Sequence, residues 1–173
     1  VSDPETARSF LGIIDSEADR MNRLVKDLLQ LSRMENNQEK WNMKESDLVK
    51  LLTSAVTKVA LTAEAKKQKL NCLFEADARV AVVMDKDRIE QVILNVLANA
   101  INYTQEGGRI DIDLVVQDRE AHIIIDDNGI GIPEDEQSRV FERFFRVDKA
   151  RSRSMGGTGL GLSIVADTVR RRG

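Results

Sequence analysis

A long seam of apolar residues near the amino terminus constrains the fold of this chain most strongly. The seam starts at Leu11 and advances by three and four residues to Leu28, which is the spacing of one face of an amphipathic helix. Pro4 suits the first turn, so the sequence predicts a helix over about residues 4–35. A helix this long covers its apolar face with other helices. Two partners stay open for residues 1–35: the domain that follows, or the other half of a helical hairpin that dimerises into a four-helix bundle.

The composition is that of a globular chain able to bury a core. It has 173 residues, of which 42% are hydrophobic and 32% charged, and its net charge of −3 gives no indication of a nucleic-acid or anionic-membrane partner. The single cysteine, Cys72, forms no internal disulfide and is compatible with a reducing compartment. No apolar run approaches the roughly 20 residues that span a bilayer. We therefore expect any membrane attachment to lie outside this chain.

Helical periodicity is lost between Asn36 and Asp47. We expect a linker over residues 36–46, with a short strand around Trp41–Lys44, and a separate domain over residues 47–173. The elements predicted for that domain are a helix capped by Asp47 and ending near Lys67, strands around Leu70–Glu75 and Arg79–Met84, a helix capped by Asp85 and running to about Tyr103, a hairpin of Arg109–Val116 and Ala121–Asp126 that turns at Asp118-Arg119, and a final helix over Leu160–Arg172.

The helix that ends near Tyr103 carries an unusual polar stripe. Asn95, Asn99, Asn102 and Tyr103 are spaced i, i+4, i+7 and i+8, which puts them on one face. Neutral carboxamide oxygens suit Mg²⁺, because they are hard ligands that leave coordination positions for water and phosphate. The stripe therefore predicts a magnesium site, and a solvated helix face is the alternative.

A second candidate follows the apolar run Ile123–Ile125. The chain continues as Asp-Asp-Asn-Gly-Ile-Gly-Ile-Pro over residues 126–133, which sets carboxylates at a strand end just before two glycines. A carboxylate accepts a hydrogen bond from an exocyclic amine, and glycines let the backbone approach a flat base. The segment is typical of a ligand rim, and an ordinary turn is the alternative.

Two further segments suit the recognition of phosphate. Residues 156–162, Gly-Gly-Thr-Gly-Leu-Gly-Leu, directly precede the final helix, so backbone N–H groups and a helix N-terminus can converge on an anion. Residues 140–146, Val-Phe-Glu-Arg-Phe-Phe-Arg, combine aromatic anchors with two guanidinium groups. Taken alone, the second segment is equally compatible with an amphipathic helix whose arginines are solvated.

Taken in order, these four segments resemble the N box, first G box, F box and second G box of sensor histidine kinases. The segment from Phe10 to Glu35 looks like the second helix of the dimerisation and histidine-phosphotransfer domain of that family, most clearly over residues 17–33. Residues 146–153, Arg-Val-Asp-Lys-Ala-Arg-Ser-Arg, are most similar to the PhoR/WalK group of Gram-positive kinases. The resemblance covers nearly the whole chain.

The resemblance implies an α+β fold, namely a two-layer α/β sandwich of the Bergerat (GHKL) type preceded by a long dimerisation helix. It implies ATP and Mg²⁺ as ligands, and a protein-histidine kinase that donates the γ-phosphoryl group to a histidine outside this chain and thence to a response regulator. The implied partners are a second subunit, through the N-terminal helical hairpin, and the receiver domain of the regulator. The implied location is the cytoplasmic portion of a membrane-anchored bacterial protein.

Carried over by position, the resemblance assigns Asp127 to the adenine amine and Asn95 and Asn99 to the metal and phosphates. Arg146, with Arg143, is assigned to the γ-phosphate as the catalytic pair. The remaining nucleotide-binding residues that it implies are Asn102, Tyr103, Gly129, Gly131, Ile132, Lys149, Gly157, Thr158, Gly159, Leu160, Gly161 and Leu162. A mobile lid is expected over roughly residues 133–158.

Asn95 separates a kinase from a hydrolase within this resemblance. Related ATPases, such as heat-shock chaperones and DNA gyrase, carry a glutamate at that position, four residues before the metal asparagine, and it activates water. An amide cannot act as that base, so the site is better suited to holding ATP for transfer than to hydrolysing it.

Other positions depart from the family pattern. The acceptor histidine is expected upstream of Val1, since the one histidine, His122, lies in a predicted strand where a structural role is expected. Asn102 replaces a lysine that reaches phosphate, so ATP binding is weakened unless Lys149 or Arg151 compensates. In the family, strands that close the sheet usually follow the final helix, and without them we expect an open edge after Gly173. The alternative functions are a degenerate nucleotide-binding or scaffolding module and an ATP hydrolase.

Overall fold

The computed structural model describes residues 3–35, 40–147 and 158–170. Its elements in chain order are α1 (Pro4–Glu35), β1 (Lys44–Asp47), α2 (Leu48–Ala65), β2 (Lys69–Cys72), β3 (Ala81–Met84), α3 (Lys86–Tyr103), β4 (Arg109–Gln117), β5 (Glu120–Asp127), α4 (Glu134–Gln137) and α5 (Gly161–Arg170). None of the helices in these ranges is long and apolar enough to cross a membrane.

The strands form two small sheets, one antiparallel with two strands and one mixed with three. β1 pairs antiparallel with β3, whereas β4 is flanked by β2 in parallel and by β5 in antiparallel. The β4–β5 hairpin turns at Asp118 and Arg119, whose φ angles are 52° and 67°. Positive φ at both central residues is the geometry of the type I′ turn, whose twist matches that of the flanking strands. The predicted hairpin is therefore confirmed, turn included.

Two capped helices and the strands enclose the main core. The Asp47 side chain accepts a hydrogen bond from Val49 N at the start of α2, and Asp85 accepts one from Arg88 N at the start of α3. Both caps satisfy backbone donors that the first helical turn leaves unpaired. The buried apolar residues of this core are Leu48, Leu51, Leu52, Ala55, Ala63, Met84, Ile93, Leu97, Ala100, Ile101, Ile110 and Ile112. Helices on one side of strands give the expected two-layer α/β architecture preceded by a long helix.

Helix α1 is covered at only one end. Leu24 and Leu31 pack against Leu160 and Ile164, at the start of α5, in a second apolar cluster. The predicted seam from Leu11 to Leu28 lies beside these two leucines and is exposed, as Leu11 illustrates at 64%. The following domain therefore covers a different strip of α1, and the predicted seam itself is left for another helix.

One local expectation is wrong, and another is met only in part. The first strand begins at Lys44 rather than at Trp41, because Trp41 stacks under the Arg88 guanidinium at 4.7 Å and Asn42 N donates to Asp85 Oδ2. These contacts with side chains at the start of α3 take the place of pairing with a neighbouring strand. His122 lies in β5, but its side chain is 53% exposed, with Nε2 3.6 Å from Glu120 Oε2. The alternation along the strand turns its neighbours inward and His122 outward.

Candidate nucleotide-binding site

The polar stripe of α3 lies beside the start of α5. Asn95 Nδ2 donates to the carbonyl oxygen of Gly161 at 3.1 Å, and Asn95 Oδ1 accepts from Gln91 Nε2 at 2.9 Å. The helix buries Ile93 and Leu97 in the core, which leaves the asparagines partly exposed on another face. Sequence reasoning missed Gln91, although its position one turn before Asn95 on the same face was a usable signal.

The chemistry of this stripe fits a magnesium ion that is held mainly by phosphate and water. An amide oxygen has two lone pairs, so Asn95 Oδ1 keeps one for a metal while it accepts from Gln91. Asn99 lies one turn further along α3 and is half-buried. Across the described ranges, no group of three or more His, Cys, Asp or Glu residues could hold an ion. Mg²⁺ requires few protein ligands when phosphates are present, and the chemistry of two amide oxygens is compatible with such a site.

The Asp-Asn-Gly turn at the end of β5 packs against the last turn of α3. Asp127 Oδ1 accepts from Gly129 N at 2.9 Å and lies 3.5 Å from the Thr104 hydroxyl. Ile130 N donates to the carbonyl oxygen of Tyr103 at 3.2 Å. A Cβ on Gly129 would lie 2.5 Å from that same carbonyl oxygen, so only glycine fits. Backbone contacts therefore fix the position of the Asp127 carboxylate.

The rim beyond this turn is open and apolar. Gly131 has a φ of 68°, and a Cβ added there would meet no atom within 4 Å. The side chains of Ile130 and Ile132 are each nearly half exposed. Exposed aliphatic groups beside a carboxylate can contact the faces of a planar base while the carboxylate accepts from its amine.

The Phe/Arg segment is attached to the glycine loop through the backbone. Phe144 N donates to the carbonyl oxygen of Gly159 at 2.9 Å. Gly159 has a φ of 74°, and a Cβ there would lie 3.0 Å from Phe144 Cα. Phe144 itself has a φ of 62°, a conformation that costs a bulky residue about 1–2 kcal/mol and that surrounding contacts must therefore maintain.

The two arginines that the resemblance assigns to phosphate differ in their surroundings. Arg143 Nη2 lies 3.2 Å from Asp167 Oδ2 on α5 and so forms an ion pair within the protein. Arg146 Nη2 is buried and has no hydrogen-bond partner in the described ranges. A buried cationic donor without an acceptor is unfavourable, so this atom suits an anionic ligand oxygen.

Thr158, at the start of the glycine loop, is bound to α1. Its hydroxyl donates to Asp27 Oδ2 at 2.7 Å and accepts from Leu160 N at 3.3 Å. Burial raises the pKa of Asp27, while the hydrogen bond from Thr158 and the charge of Arg23 oppose that increase. Sequence reasoning missed Asp27, because nothing local distinguishes one acid on a long charged helix.

The remaining expected site residues are distributed around these contacts. Asn102, Tyr103 and Leu162 are partly buried, on α3 and on α5, whereas Leu160 is fully buried against α1. Residues 148–157 of the expected lid lie outside the described residues, and they include Lys149, Arg151 and Gly157. The structure thus brings together the stripe, the Asp127 turn, the Phe/Arg segment and the described part of the glycine loop.

Known proteins resemble this chain in sequence and in fold. The sensor histidine kinase WalK of Bacillus subtilis (strain 168) is 37% identical over 171 residues, which are 98% of this chain and 28% of WalK. The solved structure of histidine kinase ThkA in complex with response regulator protein TrrA aligns at a TM-score of 0.70 and 26% identity, and covers 84% of this chain and 42% of that one.

Full-length ShkA in complex with AMPPNP aligns at a TM-score of 0.78 over 98% of this chain and 35% of that one. At 24% identity it supports the fold alone. The match to WalK covers less than a third of the length of that protein.

Family models match both regions of the sequence. The model described as "Histidine kinase-, DNA gyrase B-, and HSP90-like ATPase" matches residues 84–173, just over half of the chain. The model described as "His Kinase A (phospho-acceptor) domain" matches residues 2–37, which contain α1. The chain therefore belongs to the histidine kinase-, DNA gyrase B- and HSP90-like ATPases and, within them, to the sensor histidine kinases.

Proposed function

We propose that this chain binds ATP·Mg²⁺ and donates the γ-phosphoryl group to a histidine that is not among its own residues, from which a response regulator receives it. The hydrogen bond between Asn95 and Gly161 carries the proposal, because it joins the amide stripe to the glycine loop. A phosphate chain lying between them meets carboxamide oxygens on one side and backbone N–H groups on the other.

We assign the roles as follows. Asp127 accepts from the adenine amine, Asn95 and Asn99 hold Mg²⁺, and Arg146 binds the γ-phosphate. The other contacts to the nucleotide are assigned to Asn102, Tyr103, Gly129, Gly131, Ile132, Lys149, Gly157, Thr158, Gly159, Leu160, Gly161 and Leu162. The support for the adenine site is the backbone packing of Gly129 on Tyr103, which holds the Asp127 carboxylate at the rim.

The chemistry that follows is phosphoryl transfer by positioning and charge neutralisation. Bound Mg²⁺ supplies positive charge to the phosphate oxygens. Arg146 offers a buried N–H donor to an oxygen of the transferring phosphoryl group. The interaction between them is stronger in this buried position than it would be in water. Asn95 is an amide and cannot take a proton from water, so transfer to an incoming imidazole is favoured over hydrolysis.

The same proposal extends to the rest of the protein. We assign residues 1–35 to the second helix of a dimerisation hairpin, 36–46 to a linker and 47–173 to the ATP-binding domain. A second subunit is expected on the exposed seam of α1, where Leu11 and Ile14 lie. The structure of ThkA in complex with the response regulator TrrA supports a response regulator as a partner of this protein. The sensor histidine kinase WalK supports the assignment of this chain to the cytoplasmic portion of a membrane-anchored protein.

A transfer assay tests the proposal. The chain is incubated with ATP labelled at the γ-phosphate, Mg²⁺ and a hairpin polypeptide that carries the acceptor histidine. We expect acid-labile, base-stable label on the polypeptide, and almost no free phosphate when the chain is incubated alone. A polypeptide with that histidine changed to alanine is the control. Steady phosphate release by the chain alone favours a hydrolase, and nucleotide binding without transfer favours a scaffolding module. Label on His122 would contradict the placement of the acceptor histidine outside this chain.

A further inference from the structure

Helix α5 contributes a carboxylate that contacts the Phe/Arg segment. Asp167 is half-buried, and its Oδ2 lies 3.2 Å from Arg143 Nη2. The two residues are 24 positions apart, so the pair joins α5 to a segment that precedes the glycine loop. Neither the sequence motifs nor the family resemblance assigns a role to Asp167.

A second contact fixes the same segment at the adjacent residue. Phe144 N donates to Gly159 O, and the backbone of Phe144 is in the left-handed region at φ 62°. A non-glycine residue keeps that conformation only where its surroundings hold it. The ion pair at Arg143 and the backbone hydrogen bond at Phe144 thus restrain two consecutive residues, the first through its side chain and the second through its backbone.

These restraints lie just before Arg146, whose Nη2 is buried without a partner in the described part of the chain. Arg143 already has an acceptor in Asp167, so the two arginines are not equivalent. A guanidinium with a protein partner restrains the backbone, and one without a partner is available to a ligand.

We infer that Asp167 is a positioning residue, which through Arg143 holds the segment 141–146 so that Arg146 meets the γ-phosphate of bound ATP. This inference rests on the proposed function. It corrects the role implied for Arg143, which becomes a restraint on the segment instead of a second phosphate ligand. It also predicts a selective effect, because ADP lacks the group that Arg146 recognises.

The test is the ratio of the ADP and ATP dissociation constants, measured calorimetrically with Mg²⁺ on the whole chain. For Asp167→Asn we expect ATP to bind about three- to fivefold more weakly, the scale of a partly exposed ion pair, with ADP binding unchanged. Asp167→Glu and the exchange Arg143→Asp with Asp167→Arg are expected to restore the ratio. Asp77→Asn, on an exposed loop, is the charge-matched control.

A double-mutant comparison separates positioning from general damage. In an Arg146→Ala background, Asp167→Asn should have no further effect on the ratio, because the group that it positions is gone. Equal weakening of ATP and ADP by Asp167→Asn, or tighter ATP binding from a freed Arg143, would overturn the inference. A wild-type chain that binds neither nucleotide, or both equally, would instead overturn the proposed function on which it rests.

Discussion

The two ends of the candidate site are held in different ways. The adenine end is formed where β5 meets α3, and its central contacts are made by backbone atoms of Gly129, Ile130 and Tyr103. The phosphate end is held largely by side chains from distant segments, among them Thr158 and Asp27, which are 131 residues apart. Backbone packing leaves one geometry, whereas exposed or half-exposed side-chain pairs are individually weak. We therefore expect a rigid adenine end and an adjustable phosphate end.

The largest effect is expected from a change at the rigid end. Gly129→Ala forces a Cβ to within 2.5 Å of the Tyr103 carbonyl oxygen, which is backbone and cannot move aside. We expect a loss of about 1–3 kcal/mol in the free energy of unfolding. We also expect ATP and ADP affinities to fall together by more than about tenfold. Urea unfolding and calorimetry measure the two effects.

Gly131→Ala is the matched control for that change. A Cβ at this position meets no atom within 4 Å, so only its positive φ opposes the substitution. The cost should be about 1 kcal/mol. If both alanines destabilise the chain equally, the adenine end is not fixed by the contact between Gly129 and Tyr103.

Much of this architecture was predictable, and the exceptions share a physical cause. The caps Asp47 and Asp85 and the turn at Asp118 were visible because capping and turn chemistry depend on neighbours in the chain. The pairing of Asp167 with Arg143 was not, since no residue near Asp167 in the sequence indicates that a side chain 24 positions away lies beside it. The phosphate end was therefore the harder part to predict, because tertiary packing decides its contacts.

A lysine in place of Asn102 tests whether the phosphate end can accept a further contact to ATP. Asn102 is half-buried on α3, where sensor kinases typically carry a lysine. We expect Asn102→Lys to tighten ATP by about tenfold, the scale of a new charged hydrogen bond, with a smaller gain for ADP. Ala98→Lys adds the same charge to an exposed position of α3 and should change little. An equal gain from both lysines would indicate long-range attraction instead of a contact.

The smallest expected effect is a pH dependence of the contact between α1 and the glycine loop. Burial raises the pKa of Asp27, so its contribution to stability is fully present below its unfolded pKa of about 3.9 and is lost as pH rises through the folded pKa. Asparagine imitates the neutral form. We therefore expect the stability of Asp27→Asn relative to the wild type to increase from about pH 4 to pH 7.

Urea unfolding at several pH values measures this trend. Asp19→Asn removes an exposed charge from the same helix and serves as the control. A relative stability of Asp27→Asn that stays flat with pH, or that follows the Asp19→Asn curve, would contradict a pKa of Asp27 raised by burial.

Calorimetric titration of the unmodified chain with ATP, ADP and AMP in the presence of Mg²⁺ tests most directly whether the two ends hold one nucleotide. We predict a single site whose affinity decreases from ATP to ADP to AMP, because each lost phosphate removes contacts at the loop and at Arg146. No heat at millimolar ATP would contradict the assignment of a nucleotide site. Equal affinity for all three nucleotides would contradict the phosphate end.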